Sequence, residues 1–286
     1  MSAHDLETVA CNFCGSRDAE TVYDFSPLRI VRCRSCALVY TSPRLTQAAI
    51  ERRLYGPEYW QAYEQQYVEA LPAIREDARH WLSTLHRYRP TDRWRLFELG
   101  PGLGAFLAEA RDAGHEVFGA DLSEHAIARA RERFGLELVH AGADRLAELD
   151  LPPLDVLVME ACIEHLPDPS ATLEAANEHL VPGGLLFVST GVFGSFNQRV
   201  AGKRWGIIEP EAHLYYFSKQ TLRRFLDRAG FDVLHLETNE FLINPTTRSR
   251  LAPLFNNRVT KWLRVGPLVR RLRLGDEMFV VARKRV

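Results

Sequence analysis

The chain has 286 residues, of which 46% are hydrophobic and 26% charged, with a formal net charge of −1. This composition belongs to a globular protein and excludes disorder, a collagen-like fibre and a coiled coil, and the length suits one large domain with a small companion. Near-neutral charge argues against a generic nucleic-acid binder, and with neither a basic-then-apolar leader nor an apolar run near the roughly 18 residues of a membrane span, a soluble, cytoplasmic protein is expected.

Four of the five cysteines lie in the first 36 residues, as Cys11-Asn12-Phe13-Cys14 and Cys33-Arg34-Ser35-Cys36, with eighteen residues between the pairs. Two residues between thiolates let one tight turn aim both sulfurs at a single ion, and two such knuckles complete a closed tetrahedral site. Gly15 supplies the backbone freedom such a turn wants. A small zinc-binding module over 1–43 is therefore expected, with the metal as its main source of folding energy. Two disulfides are the competing reading, and they fit poorly with the missing secretion signal. Cys162 stands alone and reads as a small apolar filler.

Residues 44–92 read as a helical linker or lid. Tyr55, Tyr59, Trp60, Tyr63 and Tyr67 fall at helical spacings in a segment broken by Gly56-Pro57, and Ile74, Ala78, Trp81, Leu82, Leu85 and Tyr88 line one face of a second stretch. Such a stripe is usually core; Tyr55, Tyr59 and Tyr63 are the candidates for covering a ligand.

From 93 onward the chain alternates apolar strands with helices. Strands are expected at 94–99, 116–120, 136–140, 154–160 and 185–190, with helices over 103–113, 123–134 and 170–180. This pattern predicts a parallel sheet covered on both faces. Ser123 and Ser170 stand where helix caps are needed, and Pro182-Gly183-Gly184 ends the third helix. Another helix over 219–229, capped by Ser218, leads to strands at 231–238 and 277–284.

The first strand runs into Glu98-Leu99-Gly100-Pro101-Gly102-Leu103-Gly104, a glycine turn that lets backbone approach a ligand where any Cβ would collide. Glu98 would repel a pyrophosphate there but welcome a cation. Asp121, at the end of the second strand, can accept the hydroxyls of a ribose. Ala141-Gly142-Ala143-Asp144, after the third, offers small residues and an acceptor for an adenine edge. Together they describe an adenosine ligand carrying positive charge and no phosphates. A dinucleotide-binding dehydrogenase, with a similar glycine loop and acidic residue, is the competing reading.

On these residues the chain resembles the class I S-adenosylmethionine (SAM)-dependent methyltransferases over about 74–286. The resemblance implies an α/β fold with a Rossmann-like seven-stranded sheet ending in an antiparallel hairpin. It implies that Glu98, Gly100, Gly102, Gly104, Asp121, Leu122, Ala143 and Asp144 contact the donor, with Glu160 near its sulfonium. The segment Glu164-His165-Leu166-Pro167-Asp168-Pro169 is similar to that of methyltransferases acting on quinones and other small molecules. The Asn/Asp-Pro-Pro-Tyr/Phe turn of base and glutamine methylases is missing, which points to oxygen or carbon as the acceptor. His165 then has three readings: a loop-bonding residue, a member of the active site, or, with Glu164, a ligand of a divalent ion as in some quinone O-methyltransferases.

Downstream, His213-Leu214-Tyr215-Tyr216-Phe217-Ser218 resembles the H-x-x-Y-F-S stretch of small-molecule methyltransferases, and sugar C-methyltransferases share an N-terminal zinc module. In those enzymes a Glu-His pair stands here; Ala212 separates Glu211 from His213 in this chain, and their large C-terminal domain is missing. A shorter relative acting on a sugar, a nucleotide-linked sugar or a natural-product intermediate fits better. His213 is the candidate general base, and Tyr216 a candidate substrate contact.

The stretch 241–286 holds eleven Lys or Arg against Asp276 and Glu277, which leaves it at +9 and the remainder of the chain at −10. Most of these charges lie in an insertion over 241–274. They would suit a phosphate on the acceptor. An RNA methyltransferase gripping nucleic acid through the zinc module and this segment is the alternative. Val259, Trp262, Leu263 and Val269 among the arginines also allow a peripheral membrane contact, with packing against the body as its rival.

Overall fold

A computed structural model describes residues 5–54, 57–239 and 275–286. The N-terminal segment forms short strands β1 (Leu6–Glu7), β2 (Ala19–Phe25), β3 (Leu28–Cys33), β4 (Val39–Thr41) and β5 (Arg44–Leu45), followed by helices α1 (Gln47–Leu54) and α2 (Pro57–Tyr88). The alternating part then runs β6 (Arg95–Leu99), α3 (Ala105–Asp112), β7 (Glu116–Asp121), α4 (Glu124–Phe134), β8 (Val139–His140), β9 (Leu154–Met159), α5 (Pro169–His179) and β10 (Leu180–Gly191). It closes with α6 (Phe196–Ala201), β11 (Tyr215–Tyr216), α7 (Lys219–Arg228), β12 (Phe231–Asn239) and β13 (Glu277–Lys284). The basic insertion over 241–274 lies outside the described residues.

Seven strands form the main sheet in the order β12-β13-β10-β9-β6-β7-β8. Pairing is parallel from β10 to β8, and β13 runs antiparallel to both neighbours, so the expected closing hairpin is present. Side chains alternate across the strands with period two. Leu96, Val156, Val158 and Phe187 meet Trp81, Leu85 and Phe106 from α2 and α3 on one face. Phe97, Leu157, Met159 and Val188 meet Leu173, Leu222 and Phe225 on the other. Cys11, Cys33, Leu38 and Tyr40 belong to that second core, so the cysteine segment packs on the body of the protein.

The link is also one of backbone. A second sheet has the order β11-β4-β3-β2, and β11, from the far end of the chain, pairs antiparallel with β4 through Tyr215↔Tyr40 and Tyr216↔Val39.

Helix caps follow the sequence with one correction. Ala126 N–H donates to Ser123 Oγ at 3.2 Å, and Thr221 N–H to Ser218 Oγ at 3.1 Å. Ser170 does not cap α5. Pro169 opens that helix, where a missing N–H costs nothing, and Ala171 N–H donates to Asp168 Oδ1 at 3.0 Å. The third apolar run yields only the two-residue β8 at the sheet edge, and 180–184 join β10 through an irregularity in its pairing with β9.

Candidate active site

Sheet order reverses between β6 and β9, and a crevice opens there at the carboxyl ends of the strands. A cavity of about 430 Å³ occupies it, lined by the glycine turn, the tips of β7 and β9, and the segments around His165 and His213.

The turn is held by geometry that only glycine tolerates easily. Gly100 and Gly102 have φ of 70° and 54°. A Cβ on Gly100 would sit 3.2 Å from Cys162 Sγ, so the lone cysteine fills the space beneath the turn. Asp121 braces the same turn: Gly102 N–H donates to its Oδ2 at 2.9 Å and Ser123 N–H to its Oδ1 at 2.8 Å. Each oxygen keeps a lone pair for a ligand hydroxyl.

Of the donor residues expected from sequence, Glu98, Gly100, Gly102, Asp121, Leu122, Ala143, Asp144 and Glu160 all line the cavity. Gly104 does not. It precedes α3 at φ 86°, and a Cβ there would meet Leu136 Cδ1 at 2.7 Å and Ala130 Cβ at 3.2 Å. Its smallness serves the packing of α3 against α4. Tyr216 likewise stands outside the lining, packed with Ile30, Phe193 and Trp205 on the face of the second sheet opposite Tyr40 and Tyr215. The side chains of Tyr55, Tyr59 and Tyr63 lie outside the described residues.

Tyr67, a further member of the stripe, stands over the turn. It lines the cavity from α2, and Ala105 N–H, at the start of α3, donates to its hydroxyl at 3.0 Å. Its place in the aromatic stripe was legible; which member of the stripe reaches the glycine turn depends on where α2 crosses the sheet.

The donor end is acidic and buried. Burial, with the charges of Glu160 and Asp121 adding to it, pushes the Glu98 carboxyl well above the usual carboxylate range. Burial likewise raises Glu160 to about 7, helped by Asp77, and Asp121 to about 6, against the two N–H donors that favour its charged form. A cation entering the cavity stabilises the ionised form of all three.

Two histidines stand at the other end. Nδ1 of His213 lies 2.7 Å from Ile207 O and Nδ1 of His165 lies 3.0 Å from Ala212 O. A carbonyl only accepts, so both Nδ1 atoms carry the proton, and Nε2 of each neutral ring holds the lone pair. Burial lowers the pKa of both, and for His213 the neighbouring His165 adds to the effect. The rings meet edge to face at 4.7 Å. Glu164, whose carboxyl is raised by burial, has one buried oxygen, Oε2, without a hydrogen-bond partner. It brings an oxygen within 4.8 Å of ring nitrogens of both histidines.

The four N-terminal cysteines converge as their spacing requires. Sγ of Cys11 and Cys36, and of Cys14 and Cys33, are 3.4 Å apart, and all four lie within 4.8 Å of one another without a disulfide. An ion about 2.3 Å from each sulfur spaces a tetrahedron of thiolates by about 3.8 Å, so the donor set fits a tetrahedral metal. Both knuckles turn alike: Gly15 N–H donates to Cys11 O and Ala37 N–H to Cys33 O, with φ of 73° and 64°.

This sheet order, with a glycine turn, carboxylates at the tips of β7 and β9 and a cavity at the reversal, defines a class I SAM-dependent methyltransferase. The family model for the methyltransferase domain matches residues 67–236, more than half of the chain, and the protein belongs to that family. It is 30% identical over 168 residues to the ubiquinone biosynthesis O-methyltransferase of Aromatoleum aromaticum, a match spanning 54% of this chain and 70% of that protein. It is 24% identical over 166 residues to the tRNA 5-carboxymethoxyuridine methyltransferase of Escherichia coli, spanning 49% of this chain and 64% of that one. Among solved structures, a SAM-dependent methyltransferase from Archaeoglobus fulgidus shares the fold at TM-score 0.57 and 21% identity, covering 79% of this chain and all of that one. The plantazolicin methyltransferase BpumL in complex with SAH also aligns at 0.57, with 14% identity over 83% of this chain and 94% of that one. Among the described residues no helix is long and apolar enough to cross a membrane.

Proposed function

We propose that the enzyme moves the methyl group of SAM to an oxygen or carbon of a small acceptor: a sugar, a nucleotide-linked sugar or a natural-product intermediate. One observation carries the reading. The cavity that begins at the glycine turn and Asp121 continues to the neutral imidazoles of His165 and His213.

Sulfonium is a good leaving group, so alignment of acceptor, methyl and sulfur supplies most of the rate. In this reading Asp121 holds the ribose hydroxyls, Asp144 and Ala143 the adenine edge, and Glu98 and Glu160 the two positive charges of the donor. His213 takes the proton from the acceptor through Nε2, while its Nδ1–H stays bonded to Ile207 O. His165, fixed by Ala212 O, presents a second Nε2 to the same acceptor. The four cysteines hold a structural zinc ion, a closed site with no position for substrate.

The test is turnover with SAM and a panel of hydroxylated aromatics and nucleotide sugars, read as formation of S-adenosylhomocysteine (SAH). His213→Ala should cut acceptor-dependent turnover by about 10² or more and leave SAH binding within about twofold. Unchanged turnover removes His213 from the mechanism. The tRNA-methylating relative supports a second reading, an RNA acceptor. That reading requires binding to tRNA that weakens steeply between low and physiological salt.

A further inference from the structure

Two of the places where the cysteine segment touches the body lie directly behind the histidine end of the cavity. At the first, Asn12, inside the first knuckle, donates from Nδ2 to Asp168 Oδ1 at 2.8 Å and accepts Ser170 N–H on Oδ1 at 3.1 Å. Asp168 directly follows Pro167, and Pro167 with His165 and Leu166 lines the cavity. The Pro167 carbonyl is fixed in turn by the Tyr215 hydroxyl at 3.1 Å and the Arg44 guanidinium at 3.3 Å.

At the second, Thr41 ends β4 against the segment that carries His213. Its hydroxyl donates to His213 O at 3.0 Å and its N–H to Leu214 O at 2.9 Å. Leu214 N–H then donates to Glu164 O at 2.8 Å. Three layers therefore stand in series: β4, then 212–216, then 163–168. Behind them, the Phe13 ring lies under the guanidiniums of Arg224 and Arg228 at 4.4 and 3.6 Å, and Arg224 donates to Cys36 O at 2.8 Å. Each knuckle is thus anchored on α7 as well.

Among the described residues, no hydrogen bond from the cysteine segment reaches the glycine turn or Asp121. The glycine turn and Asp121 are held by α2, α3 and the strand tips themselves. Among the described residues, the cysteine segment braces the histidine half of the cavity.

We propose that the metal-binding segment is the brace of the acceptor wall, and that Asn12 and Thr41 are the positioning residues through which it sets Pro167 and His213. This rests on the reading that the His165 and His213 wall receives the acceptor. A wall made of two short segments with little regular structure has few internal bonds to hold two imidazoles in line with a methyl group, so an external clamp fixes what the local sequence does not. Metal bound by the four thiolates stiffens the knuckle that carries Asn12 and the turn that leads into β4.

Amide hydrogen exchange on the full-length, metal-loaded protein tests it without knowledge of the acceptor. Asn12→Ala and Thr41→Val leave all four cysteines in place. Losing one hydrogen bond of ordinary strength in Thr41→Val should speed exchange in 163–168 and 212–216 by about three- to tenfold, and losing the two of Asn12 in Asn12→Ala by at least as much. Exchange across 96–122 should not change, and SAH affinity should stay within about twofold. Thr41→Ser keeps the hydroxyl and should restore the wild-type pattern. In nitrogen NMR of the imidazoles, Thr41→Val should show His213 in more than one tautomer, and Thr41→Ser in one. Chelation of the metal should give the same regional pattern as the two variants, with additional exchange at 11–16 and 33–41.

Unchanged exchange at 163–168 and 212–216, or a rise spread evenly over the main sheet, overturns the proposal. His213→Ala separates the two readings: turnover that survives it sinks the base assignment and leaves the brace standing.

Discussion

The raised carboxyl of Glu160 makes donor binding depend on pH in a direction that can be worked out. With its pKa raised to about 7 before a donor binds, Glu160 is mostly protonated at pH 6 and mostly ionised at pH 8. A sulfonium about 5 Å away, at an effective dielectric of about 20, favours the carboxylate by ~3 kcal/mol, enough to lower the pKa by about two units. Binding below pH 7 must first remove a proton, so apparent affinity for SAM should rise about tenfold from pH 6 to pH 8. Glu98, Asp121 and Glu277 titrate above the usual carboxylate range as well and add their own slopes. SAH separates them: it keeps the ammonium and the ribose but has a neutral sulfur, so the part of the slope due to Glu160 should vanish with it. Titration calorimetry at pH 6, 7 and 8 with both ligands, on wild type and Glu160→Gln, measures the difference. Equal slopes for SAM and SAH in the wild type, or a SAM-specific slope that survives Glu160→Gln, would refute the placement of Glu160 beside the sulfonium.

Asp121→Asn replaces one acceptor oxygen with a donor that faces a backbone N–H, and loses a charge-assisted bond to the ligand. SAH should bind about 10- to 100-fold more weakly by calorimetry; affinity within twofold of wild type would remove Asp121 from the site. Gly104→Ala forces a Cβ into Leu136 at positive φ and should lower stability by about 1–3 kcal/mol, read by denaturant unfolding. SAH binding by the folded fraction should be near wild type, since that glycine does not line the cavity. Elemental analysis should find about one zinc per chain, and its removal should lower the melting temperature by about 5 °C or more. A metal-free protein of full stability would show that the four thiols pack without an ion.

Much of the donor side was readable because it is built from neighbours in the chain. A strand, a glycine turn and a helix must follow one another directly, and positive φ at Gly100 and Gly102 leaves a local mark in the sequence. Asp121 ends the next strand and braces that turn through the Gly102 N–H, while its other oxygen accepts the N–H of Ser123 nearby in the chain. The metal cluster is similar: two residues between cysteines fix each knuckle, whatever surrounds it. Gly104 shows the limit of such reading. It shares the motif with its neighbours, yet its constraint comes from Leu136 and Ala130 on another helix. Asp168 rather than Ser170 caps α5 because the proline between them sets where the helix begins.

By itself, then, the sequence determined the sheet, the donor turn and the cysteine cluster, since each depends on periodicity or on spacing within a few residues. Tertiary structure alone decided that Tyr67 reaches the turn, that Tyr216 packs against Phe193 and Trp205 away from the cavity, and that β4 and β11 pair across some 175 residues of chain through Tyr40 and Tyr215. Short strands of two and three residues carry no alternation long enough to announce a partner. Their pairing is fixed by the shared core beneath them, where Leu38, Tyr40, Leu214 and Phe217 are buried together, and that core exists only once the whole chain has folded.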